Sequence, residues 1–79
     1  MKIYRIGYPA YEEFKIYSKI CYSLDEVWKN YIMIREWLDI PFVTSQEEIK
    51  EKLFSYLQDD SESICYLGNF SFEWKELRG

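Results

Sequence analysis

Histidine is absent from this chain, alanine occurs once, and 3 glycines, 2 prolines and 2 cysteines are all that is spread over 79 residues. Without histidine there is no Ser–His or Cys–His catalytic pair, no imidazole metal ligand and no proton switch near neutral pH. So little glycine and proline excludes collagen-like and low-complexity chains. No apolar run approaches the roughly 18 residues of a membrane span, and Met1-Lys2-Ile3-Tyr4-Arg5 is not followed by a signal-peptide core. The expected compartment is therefore the cytoplasm, with no membrane partner. Cys21 and Cys65 lie 44 residues apart. A reducing compartment argues against a disulfide between them, and two thiols cannot complete a zinc site. Both read as small buried hydrophobes. Gly-rich phosphate loop, nucleophile elbow and metal-ligand cluster are all missing, so no enzyme activity and no cofactor is expected.

What the chain has instead is apolar bulk. Hydrophobic residues make up 48% of it, with 8 Tyr, 5 Phe and 3 Trp. That much apolar material offsets chain entropy, and residues 1–79 read as a single folded domain. So many rings exceed the needs of one small core. Some of Tyr4, Tyr8, Tyr11, Tyr17, Trp37 and Tyr66 are expected at the surface, where Tyr and Trp favour protein interfaces.

Residues 2–8 alternate, with Tyr4, Ile6 and Tyr8 on one face, and residues 14–22 alternate again. In the second run Phe14, Ile16, Ile20 and Tyr22 face one way and Lys15, Tyr17, Lys19 and Cys21 the other. The pair predicts an antiparallel hairpin. Its spare face is expected to carry Lys15, Tyr17 and Lys19, too few groups for a nucleic-acid platform. Ser23-Leu24-Asp25-Glu26 is a capping box with Tyr22 and Val27 as its hydrophobic staple. It predicts a helix from about Leu24 to Leu38 whose stripe includes Val27, Trp28, Tyr31 and Ile34. Ile32, Met33 and Trp37 widen the apolar surface, so this helix is covered on more than one side or meets a partner. Thr44 with Glu47, and Ser45 with Glu48, offer two overlapping boxes for a second helix from about Gln46 to Leu57. Glu48 and Lys52 are spaced as an i,i+4 pair. Residues 64–77 are either one strand bent at Gly68 or two strands joined by a Gly68-Asn69 turn. The sum is an α+β fold, a small antiparallel sheet with two helices packed on one face, in the order ββαα followed by β or ββ.

Charge is uneven along the chain. Residues 36–62 hold Glu36, Asp39, Glu47, Glu48, Glu51, Asp59, Asp60 and Glu62 against Lys50 and Lys52, while the whole chain nets −4. First-turn carboxylates suit a helix dipole, but Asp59 and Asp60 at the far end do not. Asp59, Asp60 and Glu62 lack the spacing of a calcium loop. The eight carboxylates are therefore the candidate binding surface, and the expected partner is a basic, nucleic-acid-binding protein whose groove they would occupy. Direct binding to nucleic acid is disfavoured by the sign of the charge. In size, acidity and aromatic content the chain is similar to small inhibitors of phages and mobile elements, such as anti-restriction and anti-CRISPR proteins, and to immunity proteins of nuclease toxins. That likeness lies in composition and carries over no residue. The alternative expectation is a structural or assembly module that uses its exposed aromatics as a homodimer or higher oligomer seam.

Overall fold

The computed structural model describes residues 1–59 and 63–76. Strands β1 (Lys2–Tyr8) and β2 (Tyr17–Cys21) come first, then helices α1 (Leu24–Trp37) and α2 (Gln46–Gln58), then β3 (Ile64–Leu67) and β4 (Phe70–Glu76). The fold is α+β, with the element order ββααββ and a four-stranded antiparallel sheet ordered β2-β1-β4-β3. The chain's first and last strands thus pair at the centre, and β2 and β3 form the edges.

Gly68 and Asn69 form a two-residue turn rather than a bend in one strand. Gly68 takes a φ of 61°, which a residue without a Cβ adopts at no cost, and Leu67 pairs with Phe70 across it. Both helices start as the capping boxes require. Ser23 Oγ accepts the Glu26 amide at 3.2 Å, and Ser45 Oγ accepts the Glu48 amide at 3.2 Å, so Ser45 wins over Thr44. The Glu26 carboxylate accepts the amide of Tyr22, one residue earlier than the reciprocal box predicts.

Directly opposed residues in an antiparallel ladder point to the same side. Tyr4 faces Cys21 on one neighbour and Trp74 on the other, and Ile6 faces Phe72. These side chains and Phe70 form one buried cluster with Val27, Tyr31 and Ile34 of α1 and Leu53 and Leu57 of α2. Tyr31 is the centre of its rings, edge-on to Phe70 at 4.8 Å and within 5.8 Å of Phe72. Burial at about 25 cal/mol per Å2 makes this cluster the main stabilising term.

The same register overturns the expected orientation of the second strand. Cys21 is fully buried, Tyr17 is half-buried and bonded to α1, and Phe14, Ile16, Ile20 and Tyr22 are exposed. The face carrying Lys15, Tyr17 and Lys19 is not the spare face. Lys15 has separated from the other two: its Nζ donates to the Pro9 and Ala10 carbonyls, and its side chain lies over Gly7 on the opposite side of the sheet. Pairing with β1 decides this, because a one-residue change of phase exchanges the two faces of a strand completely. The two thiols sit on the two edge strands. Three strand spacings of about 4.8 Å put them roughly 14 Å apart, beyond disulfide reach.

Candidate interaction surface

Helix α2 is amphipathic in the ordinary way. Leu53 and Leu57 are buried, with Ile49 and Phe54 half-buried on either side. At 100° per residue, Glu47, Glu51 and Gln58 fall on one outward stripe, which Asp59 extends past the last turn. Glu47, Glu51 and Asp59, with Lys50 and Phe54, line a shallow groove of about 700 Å3 along this face. The stripe runs for roughly 18 Å from Glu47 to Asp59 at 1.5 Å per residue.

The other carboxylates lie elsewhere. Glu48 is a quarter-turn round the helix, in a depression of about 320 Å3 shared with Arg35, Thr44 and Lys52. Glu36 stands exposed in the last turn of α1. Asp39 follows that helix, exposed, with a φ of 56°. Asp60 and Glu62 lie outside the described residues. The structure thus gathers three of the eight onto one face, distributes three others, and leaves two undescribed.

Three of the chain's cations, Arg35, Lys50 and Lys15, make contacts within the molecule. Arg35 lies over the Phe42 ring at 4.2 Å, donates from Nη1 to Tyr31 Oη at 2.9 Å and from Nη2 to the Pro41 carbonyl, and buries Nε without a partner. Lys50, the cation of the groove itself, sits 5.6 Å from the Phe54 ring centre and 5.9 Å from that of Trp28. Lys15 is held by two carbonyls. The amino group of Met1 forms a salt bridge with Glu76 at 2.6 Å. Glu48 and Lys52 do not close the pair their spacing offers, and Glu47 and Glu51 make no ion pair among the described residues. Glu47 and Glu51, exposed and outside any ion pair among the described residues, still outnumber the cation of the groove, Lys50, and so give the groove a negative field.

Titratable groups near the core are set by burial. The Cys65 thiol is pushed up to about 11. Cys21 is raised by burial and then by the nearby Glu26 carboxylate, with Lys19 opposing. Tyr31 is raised by burial, with Arg35 pulling it back. Tyr17 is raised by burial and by Cys21, and its hydroxyl donates to Asn30 Oδ1 at 2.6 Å. All four shifts favour the neutral, unreactive form. No group of three or more metal-ligating side chains occurs among the described residues, and no helix among them is long and apolar enough to cross a membrane.

A second exposed surface was hidden by the inverted phase of β2. Phe14 is 85% exposed, Trp37 65% and Ile16 61%, with Tyr22, Met33 and Ile20 also exposed. For Phe14, Ile16, Ile20 and Tyr22 the sequence signal was alternation, which suits a core face and an open face equally well, whereas Met33 and Trp37 already stood out as apolar surface on α1. Comparison with protein-family models, with curated proteins and with solved structures gives no match to this chain.

Proposed function

We propose that this protein is a small, non-enzymatic inhibitor that docks the α2 carboxylate stripe into the basic groove of a nucleic-acid-handling protein and so blocks its substrate. The observation that carries this reading is the strip of Glu47, Glu51 and Asp59 along one groove, where Lys50 is the cation in the lining and rests against the Phe54 and Trp28 rings. Carboxylates held on a capped helix keep their spacing without a partner, so little ordering is lost on binding. An excess of charge of one sign speeds encounter with a groove of the other. Such a role asks for complementarity and no chemistry. Its biological setting would be anti-defence or toxin immunity in a phage or mobile element, acting in the cytoplasm.

The test uses the protein immobilised as bait for basic nucleic-acid-binding proteins at low salt, with duplex DNA as competitor. Retention released by duplex DNA, and weakened at least tenfold by Glu47→Lys with Glu51→Lys and Asp59→Lys, supports the reading. Retention unaffected by either overturns it. All three residues are exposed, and circular dichroism of the triple variant is expected to match the parent.

A further inference from the structure

The outer edge of β2 is a seam bordered by apolar side chains on both sides of the sheet, those of the α1 flank on one and Ile16 and Ile20 on the other. Asn30 ties α1 to β2: its Oδ1 accepts the Tyr17 hydroxyl at 2.6 Å and its Nδ2 lies 3.6 Å from Cys21 Sγ. On a helix, Met33 and Trp37 fall on the same flank as Asn30. Trp28 and Arg35, on the opposite flank, turn to Lys50 and Phe42 beside α2. Below this flank β2 has no neighbour on its outer side, and Phe14, Ile16, Ile20 and Tyr22 stand exposed along it. The rings of Phe14, Tyr22 and Trp37 alone leave on the order of 400 Å2 in water, taking about 200 Å2 for each. With Ile16, Ile20 and Met33 the seam approaches the roughly 800 Å2 per partner of a stable interface.

We infer that the occupant of this seam is a second copy of the chain, joined β2 to β2 about a two-fold axis that passes through Ser18 perpendicular to the sheet. Such an axis keeps the helices of both copies on one side and requires opposed residues to share a face. Charge and side-chain type select the register. An axis at Lys19 sets that ammonium against its own image, and one at Tyr17 sets it against Lys15. An axis at Ile20 avoids both clashes but leaves Phe14 and Ile16 outside the contact. An axis at Ser18 places Lys19 beside the partner's Tyr17, Ile20 beside the partner's Ile16, and the serines against each other. It also turns the Phe14 end of each copy toward the Tyr22 end of the other. A helix over the β1–β2 pair then stands about 10 Å from its image, the usual distance between packed helices, with Met33 and Trp37 in the gap. Lys19 and Glu26 both lie near Cys21 at this edge, so charge of both signs is present there and the net charge of −4 does not by itself oppose the contact. An exposed apolar edge strand is a hazard for a monomer, and pairing it with its own image removes both edges at once.

The inference stands on a different surface from the α2 stripe, and the experiment separates the two. Sedimentation equilibrium of the intact protein between 5 and 200 µM (concentrations of order those used for weak dimers) is expected to give a dimer that persists in 1 M salt. Ile20→Asp is expected to weaken association at least tenfold, without loss of helicity and without effect on retention of basic proteins by α2. Ser18→Cys is expected to form a disulfide-linked dimer under mild oxidation, because it lies on the axis, whereas Lys29→Cys is not. A chain that stays monomeric at the highest concentration overturns the inference and leaves the seam to a different protein. A dimer indifferent to Ile20→Asp, or oxidative linkage no faster at position 18 than at 29, also overturns it.

Discussion

Helix α1 has 14 residues and α2 has 13, and each starts from a serine whose hydroxyl accepts the amide three residues on. Each sends its aliphatic stripe into the same buried cluster. Their outward faces share exposed charge, such as Lys29 and Glu36 on α1, but differ in what else they present. That of α1 carries Met33 and Trp37, while that of α2 carries Glu47 and Glu51. The last turn of α1 has Arg35 to suit the negative end of its dipole, and the last turn of α2 has no basic residue. Cap and stripe are enough to fold a helix onto a sheet, so the opposite side is free to be specified for something else. In this molecule the two helices specify two different things.

The comparison can be broken first in the core. Tyr31→Ala removes the ring at the centre of the aromatic cluster and should cost about 3–5 kcal/mol in denaturant unfolding. Leu53→Ala, its counterpart on α2, should cost about 2–4 kcal/mol. A Tyr31→Ala loss below that of Leu53→Ala would show that α2, not α1, anchors the sheet. Each helix also neighbours one thiol, and burial raises both. Cys65, on the strand beside α2, favours its neutral form in the folded state, so its contribution is complete below the ordinary thiol range and drains away as pH rises toward about 11. Unfolding measured from pH 8 to 11 should therefore decline less steeply for Cys65→Ser, by on the order of 2 kcal/mol across that window. Parallel slopes would remove burial as the cause.

Smaller effects sharpen the contrast at the helix ends. Ser23→Ala and Ser45→Ala should each cost about 1 kcal/mol. The first should cost slightly more, since the Tyr22–Glu26 link closes the same turn. Equal indifference at both sites would mean that packing alone sets the helix starts. Gln58→Lys gives α2 the last-turn cation it lacks and should add about 0.3–0.5 kcal/mol at low salt, vanishing near 1 M. A gain that survives high salt would point to a contact other than the dipole.

Local rules made much of this fold readable. Both helix starts, the Leu24 and Gln46 boundaries and the ββαα order follow from residues a turn or less apart, and the structure has them. The Gly68-Asn69 segment allowed two solutions, a bent strand that keeps Ile64 and Tyr66 in phase with Phe70 or a two-residue hairpin that puts Cys65 and Leu67 there instead; the Leu67–Phe70 pairing and the positive φ at Gly68 settle it. Residues 14–22 were legible as a strand but not in phase. Apolar groups occupy both faces of that stretch, and the choice lies in Tyr4 meeting Cys21 and Asn30 meeting Tyr17, contacts made at long range. The acidic segment was visible as composition. Its division was not read, although helical period alone separates Glu47 and Glu51 from Glu48.

The amide of Ala10 donates to Asn69, to its carbonyl at 2.7 Å and its side-chain oxygen at 3.2 Å. One residue belongs to the connection after the first strand and the other to the tight turn before the last. The link therefore laces two corners of the sheet that share no ladder there. A proton at that nitrogen reaches solvent only when those corners part, so its exchange clocks a motion that fraying at the chain ends leaves untouched.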